Sequence, residues 1–331
     1  MNEEEKNTNS VEQDEPVAQN EPAQNEKPET EKKSKPLSDL KTRLITAVFL
    51  GALYAGTILL RIFVDESISR YIYDAFVIFL MLMASTEFAN AISIKFPKAM
   101  KGFVYATIVL GYAAFVIVHN LHGSGGITSF FGVLALVFIA SIVYNMASRT
   151  HSINNVISTL FVMIYPVTIM TYTLALNYLP MPQFSITAII LVIGGTALVD
   201  SMAYFVGSLV RGPKLCPAIS PKKTISGAVG GLIGGVGAGL IVMVFGNLGI
   251  LGCVPISTNV AVNTIHYAVL GVGIAIFCQI GDLISSYVKR ACGIKDYGTI
   301  LKGHGGFMDR MDGVTVASVF VFIYFTILAM L

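Results

Sequence analysis

Nine apolar runs dominate this chain from Leu44 onward, near residues 44–63, 71–93, 102–119, 127–147, 156–179, 184–210, 227–251, 264–285 and 313–331. Each approaches or exceeds the roughly 20 residues that cross the hydrocarbon of a bilayer. In that medium every backbone N–H and C=O must bond within its own segment, so runs of this length form helices. The expected fold class is an all-α polytopic integral membrane protein with about nine transmembrane helices. Charged residues make up only 13% of the chain, against about 25% in soluble domains.

Orientation follows from the loops. Lys41 and Arg43 flank the first span, Lys95, Lys98 and Lys101 separate the second from the third, and Arg149 separates the fourth from the fifth. Arg211, Lys214, Lys222 and Lys223 lie between the sixth and seventh, and the cationic segment 286–312 follows the eighth. Loops 120–126, 180–183 and 252–263 hold no Lys or Arg, and only 64–70 is mixed. By the positive-inside rule the N-terminus is cytoplasmic, the C-terminus lies outside, and both polar clusters face the cytoplasm.

Residues 1–40 differ in kind. They carry eleven Asp/Glu and five Lys and are rich in Gln, Asn and Pro. Such a segment cannot bury enough apolar surface to offset its ordering entropy, so a disordered cytoplasmic tail is expected, with no cleavable signal peptide. The remainder holds nine acids against seventeen Lys/Arg. A basic membrane domain suits an anionic lipid or nucleotide, or simply reflects cationic cytoplasmic loops. The expected division is a 1–40 tail, N-terminal helices over 41–183, and a C-terminal catalytic region over 184–331. The four cysteines (Cys216, Cys253, Cys278, Cys292) have no ligand spacing, so neither zinc nor a structural disulfide is expected.

Acids inside spans are costly and are functional candidates. Asp74 is placed at the membrane interface and left out of the site. Glu87 is open between structural hydrogen bonding and function. His119 and His122 are expected at the surface, and Pro166 is expected to kink the fifth span. Asp200 lies well inside the sixth span, with Tyr204 and Gly207 on its face at i+4 and i+7. It requires a cation, a metal or a donor.

Two polar stretches follow. Ser220-Pro221-Lys222-Lys223-Thr224 precedes a glycine-opened helix. Adjacent lysines, hydroxyls and a helix N-terminus together make a phosphate site, although lysines at a membrane edge also serve as topology markers. Residues 227–239 are glycine-rich without a preceding strand or a GxxxxGK[ST] motif, which excludes a P-loop. Gly227, Gly231, Gly235 and Gly239 recur every four residues, the pattern of close helix packing in a membrane.

The second stretch, 281–312, packs Asp282, Asp296, Asp309 and Asp312 together with Lys289, Arg290, Lys295, Lys302, His304 and Arg310 around a Gly-His-Gly-Gly turn. Carboxylates hold Mg²⁺, cations neutralise phosphate oxygens, and glycines let backbone N–H groups approach them. Asp282 shares a helical face with Ser286 at i+4 and Lys289 at i+7. A metal on Asp282 and that lysine would grip one phosphate between them. Asp309 and Asp312, at i+3, open the last span.

From Ser286 to Asp312 the residues follow S-x-x-K-R-x₄-K-D-x-G-x₂-L-x₂-H-G-G-x₂-D-R-x-D. This resembles the signature of the phosphatidate cytidylyltransferase (CDP-diacylglycerol synthase) family. Asp200-x-x-Ala-Tyr204-x-x-Gly207, Ser220-Pro-Lys-Lys-Thr224 and Gly281-Asp282 resemble its upstream elements. The specific likeness covers about the last 135 residues of the 331. Two departures stand out: Lys302 where the family has Pro or Gly, and Ile225-Ser226 where it often has Trp-Glu.

The resemblance implies CTP and phosphatidate as substrates, CDP-diacylglycerol and pyrophosphate as products, and Mg²⁺ as cofactor, with K⁺ a candidate second cation. It implies Asp282 and Asp309 as metal ligands and Asp312 as a further ligand or orienter. Lys289 and Arg290 are assigned to phosphate oxygens near the bond-forming centre. Lys222, Lys223, Ser220 and Thr224 are assigned to the triphosphate, and His304, with Gly305 and Gly306, to the phosphate loop. Ser286, Lys295, Asp296, Arg310, Asp200 and Tyr204 are further candidates, with an ion-pair network the other reading of Lys295, Asp296 and Arg310. The expected setting is a bacterial inner membrane, with a homodimer open and no nucleic-acid partner. An ion-coupled transporter is the rival, since it too places acids in spans with glycine-broken helices.

Overall fold

The computed structural model describes residues 36–148, 152–301 and 305–331. His304, Lys302, Arg149 and the tail up to residue 35 lie outside the described residues. Helices dominate: α1 (Pro36–Phe63), α2 (Glu66–Ile92), α3 (Lys101–His122), α4 (Gly126–Ala147), α5 (Ile153–Val162), α6 (Ile169–Ala175), α7 (Ser185–Val210), α8 (Ile225–Leu248), α9 (Val260–Cys292) and α10 (Met308–Leu328). Among the described residues eight spans are long and apolar enough to cross a membrane, and α1 contributes a shorter apolar stretch, Gly51–Phe63. The expected all-α membrane architecture is therefore the observed one. α1 starts inside the stretch assigned to the tail, because a proline at the first helical position is already set for helix.

Two departures from uniform helix bear on the site. First, the segment between α7 and α8 is a small antiparallel hairpin, β1 (Lys214–Cys216) with β2 (Ser220–Thr224), pairing Lys214 with Thr224 and Cys216 with Ser220. Second, the fifth span breaks at Met163–Thr168, where Tyr165 leaves helical geometry ahead of Pro166. The break was expected from the missing N–H and the ring's clash with the preceding turn.

α9 is the longest element, with 33 residues, or about 50 Å at 1.5 Å per residue. That exceeds the ~30 Å hydrocarbon core, so the helix tilts within it or extends past it, and its last turn holds the charged Lys289 and Arg290. Asn259 opens it, its Oδ1 accepting from the N–H groups of Ala261 and Val262. Gly293, at φ 75°, closes it in the left-handed conformation that glycine adopts without penalty.

The C-terminal helices pack in sequence, α7 on α8, α8 on α9 and α9 on α10, with α10 also lying against α6 and α7. Glycine makes the first two contacts possible, as the four-residue spacing predicted. A Cβ on Gly235 would run into the carbonyl of Gly271, and one on Gly239 into the carbonyl of Tyr267, both on α9. Gly227, Gly230 and Gly234 meet α7 instead, against the carbonyls of Ala203, Met202 and Leu198. α8 is thus wedged between two neighbours at backbone distance.

Two expectations near the other end of the bundle fail. Asp74 is not a free interfacial acid. It is fully buried and accepts hydrogen bonds from Asn177 Nδ2 (2.9 Å), Tyr112 Oη (3.0 Å) and Tyr178 Oη. Three distant donors make burial tolerable where the local sequence showed only an acid near a helix start. His119 is half-buried, with its ring 4.8 Å from that of Tyr178 and stacked on Phe115.

The packing at α8 gives a direct contrast. Gly235→Ala is expected to destabilise the protein by about 1–3 kcal/mol through overpacking. Gly237→Ala, whose added methyl meets only the Leu198 side chain at 4.0 Å, is expected to be neutral or slightly stabilising, since alanine is the better helix former. Thermal denaturation of both variants in one detergent checks the order.

Candidate active site

The polar clusters predicted from sequence meet at one end of the bundle, where the hairpin and the α9–α10 connection lie side by side. Two lysine–carboxylate pairs mark the meeting. Lys223 Nζ on β2 lies 2.5 Å from Asp282 Oδ2 on α9. Lys289 Nζ, two turns further along α9, donates to Asp309 Oδ1 on α10 at 2.8 Å.

The Asp309 site is closed and heavily bonded. Its Oδ2 accepts the backbone N–H of Tyr297 at 2.8 Å and that of Gly306 at 2.9 Å. Gly305, at φ 83°, turns the chain so tightly that a Cβ there would touch the same carboxylate. Tyr297 completes the enclosure. Its ring lies under Lys289 Nζ at 5.3 Å, and its hydroxyl donates to the carbonyl of Ser285. Burial holds the Tyr297 phenol well above its ordinary pKa, so it stays a neutral donor. The sequence reading passed over Tyr297. The available signal was an aromatic residue inside the most polar loop of the chain.

The Asp282 site is open. A cleft of about 380 Å³ runs between α7, the hairpin, α8 and α9, lined by Asp200, Tyr204, Lys222, Lys223, Gln279 and Asp282 among others. Among the described residues Lys223 Nζ has no hydrogen-bond partner beyond its charge contact with Asp282, and the nitrogen itself is buried beneath the cleft lining. Asp200 faces the cleft beside the Cys278 thiol, 3.8 Å away, and Asp282, Lys223 and Arg310 are its charged neighbours. Asp312, 7% exposed, lies between the two pairs. Asp282 and Lys289 are its charged neighbours, and its Oδ1 accepts from the N–H of Gly313.

The remaining candidates divide. Thr224 is the N-cap of α8, its Oγ1 accepting from Gly227 N at 3.1 Å and sharing a hydrogen bond with Ser226. Ser220 pairs in the hairpin, and Ser286 is half-buried on the face of Asp282. Arg290 is directed at the carbonyls of Ile219 and Ile294, bridging the hairpin to the end of α9 rather than reaching Asp282 or Asp309. Lys295 and Asp296 are exposed, without an ion pair to the described residues. Glu87, left open from sequence, is a hydrogen-bonding group here: its Oε2 accepts the N–H of Met308 at 3.0 Å. A larger cavity of about 500 Å³, walled by Phe115, His119, Tyr178 and Phe322, reaches none of the predicted site residues.

A family model described as "Cytidylyltransferase family" matches residues 41–328. The chain belongs to the cytidylyltransferase family. A Brucella abortus protein named phosphatidate cytidylyltransferase is 39% identical over 146 residues, 44% of this chain and 49% of that protein. Proteins of the same name from Staphylococcus saprophyticus (40% over 115 residues, 35% of this chain and 40% of that protein) and Mycobacterium bovis (39% over 129 residues, 39% and 38%) are also similar. The chain thus spans about half the length, or less, of the curated relatives it matches. Membership of this cytidylyltransferase family favours the enzyme reading over the transporter.

The two ion pairs differ in setting, and their removal separates them. Lys289→Met leaves Asp309 buried without its cation and is expected to cost about 3–5 kcal/mol. Lys223→Met breaks a pair whose side chains are partly exposed although the Lys223 nitrogen is buried, and is expected to cost less than Lys289→Met, about 1–2 kcal/mol. Denaturation midpoints of the two purified variants measure the difference.

Proposed function

We propose that this protein transfers the cytidylyl group of CTP to phosphatidate, giving CDP-diacylglycerol and pyrophosphate. The reading rests on family membership, on the printed name of the relatives, and on one observation above all. The open cleft joins a lysine pair, two aspartates (Asp200 and Asp282) and an apolar wall at a single mouth. An anionic nucleotide and an anionic lipid both need such a place, the first for its phosphates and the second for its phosphate and chains together.

The chemistry asked of these residues is modest. A non-bridging oxygen of the lipid phosphate attacks the α-phosphorus of CTP, the new P–O bond forms, and the bond to the β-phosphate's bridging oxygen breaks as pyrophosphate leaves. The ionised lipid phosphate is already a nucleophile, so no strong general base is needed. The obstacle is charge: two anions must meet, and catalysis of this kind is mostly positioning and electrostatic stabilisation. Lys222 and Lys223 line the cleft and supply cations for the triphosphate. The N-terminus of α8 adds the positive end of its dipole beside them. Arg310, exposed on the first turn of α10 and an electrostatic neighbour of Asp200, supplies a further cation beside the cleft. Tyr204, 78% exposed, gives the cleft an aromatic rim for a lipid.

The acids suit Mg²⁺ in their chemistry. Asp282 and Asp312 are hard oxygen donors and electrostatic neighbours, a pairing of like charges that suits a cation, although among the described residues no three acids come close enough to form a ready ligand set. Asp282 and Asp312 would hold it, with Asp200 near. When bound, Mg²⁺ would neutralise charge on the phosphoryl oxygens in transfer. Asp309 is the less available of the two ligands expected from the signature, because Lys289 and two backbone N–H groups already occupy its carboxylate. The proposed setting is a bacterial inner membrane with the cleft on the cytoplasmic side, where CTP is supplied.

Purified protein in detergent, given phosphatidate, CTP labelled in the α-phosphate and Mg²⁺, is expected to move label into the organic phase. EDTA should abolish the transfer and added Mg²⁺ restore it. Asp282→Asn should lower the rate on the order of 10²–10³-fold, the scale of removing one electrostatic stabiliser. Well-folded protein that transfers no label to any of several lipid phosphates would overturn the proposal. Full activity of Asp282→Asn would keep the reaction and remove that ligand.

A further inference from the structure

α10 begins without a cap of its own. Its N-cap position, Phe307, is helical and offers no side-chain acceptor, yet the first turn is buried, with Phe307, Met308 and Asp309 each at 9% exposure or less. Buried helix N-termini need acceptors for their free N–H groups. One comes from far away. Glu87, near the C-terminal end of α2 and 221 residues earlier, accepts the Met308 N–H at 3.0 Å, and the Phe307 N–H points at the same carboxylate.

The fit is steric as well as polar. A Cβ on Gly298 would strike Glu87 Oε1, and a Cβ on Gly306 would strike both oxygens of Glu87. The carboxylate therefore sits in a cradle made by two glycines of the α9–α10 connection, Gly298 within it and Gly306 near its end. Gly306 also donates to Asp309, so Glu87 and Asp309 grip amides two residues apart in one turn. α2 adds two aromatic contacts to the same connection, Phe88 with Tyr297 at 5.5 Å and Phe79 with Phe307 at 5.8 Å.

Stability alone does not account for a glutamate here. It is 4% exposed, and its Oε1 has no hydrogen-bond partner among the described residues. Asp309 is a like charge close by. An apolar side chain of similar volume avoids the desolvation cost of the charge and the orphaned oxygen. What it cannot do is hold the Met308 amide and fill the glycine cradle together.

We propose that Glu87 is a positioning residue for the reaction, setting the α9–α10 connection so that Asp309 meets Lys289 and Asp312 stands beside Asp282. It acts through those residues and touches neither substrate. The inference rests on the proposed reaction for its kinetic readout, and a second readout is independent of it.

Glu87→Ala and Glu87→Gln would be compared with wild type in full-length protein in detergent. Three quantities are followed: turnover with varied CTP, hydrogen exchange of the Tyr297, Gly306 and Met308 amides, and the melting temperature. Glu87→Ala should lower kcat about 30–100-fold, the scale of a misplacement of about 1 Å, with KM for CTP changed less than about threefold. Exchange at the three amides should rise at least about tenfold, while the melting temperature stays within a few degrees. Glu87→Gln, which keeps an acceptor oxygen and the volume, should recover most of both. Wild-type kcat in Glu87→Ala, unchanged exchange at those amides, or a loss of activity that follows a fall in melting temperature would each overturn the proposal. If wild type transfers no label from CTP, the reaction reading fails by itself. The exchange data then decide alone whether Glu87 holds the connection.

Discussion

A carboxylate below the surface of an apolar bundle must find donors or a cation, and much of this structure follows from meeting that demand. Asp309 takes a lysine and two backbone N–H groups, Asp74 takes an amide and two phenols, and Glu87 takes the start of a helix. Each solution fixes more than the acid. To deliver two amides to Asp309 the α9–α10 connection must fold back on itself, which it does through glycine and a tyrosine. Once folded, it fixes where α10 begins. Asp282 and Asp200 are different: they open on a cleft and are only partly matched by protein groups. The contrast between satisfied and unsatisfied acids separates scaffold from site.

Where the sequence pattern was local, it was legible. Apolar length gave the spans, with ends shifted by a few residues. The four-residue glycine spacing gave the α8 contacts, although it did not say that one stripe serves two neighbouring helices. The polar stretches 220–224 and 281–312 were identified as one site, and they do meet. Distant partners were not legible. Nothing near Asp74 in sequence announces Asn177 or Tyr178, and nothing near Glu87 announces Met308. Thr224 looked like a phosphate ligand because hydroxyls beside lysines often are, yet the same residue type in the same place also caps a helix. The hairpin escaped notice because three- and five-residue strands between spans have no room for an alternating pattern.

The division between residues 41–183 and 184–331 has a bearing on the site. The motifs lie in the second region, but their support does not. Glu87, Phe79 and Phe88 reach the α9–α10 connection from α2, and Tyr54 of α1 donates to the sulfur of Met311 on α10. The first region is therefore part of the wall behind the site, and the chemistry-bearing helices do not stand without it.

Glycine at the α7–α8 and α8–α9 contacts has a mechanical side. Where backbones touch with no side chain between them, there are no rotamers to repack and no compressible layer to slide on. α7, α8 and α9 must then move together, as one plate. One long edge of that plate is the floor of the cleft. Any breathing that lets a bulky molecule in or out is confined to what borders the plate: the hairpin tethered to it by Arg290, and the turn that leads into α10.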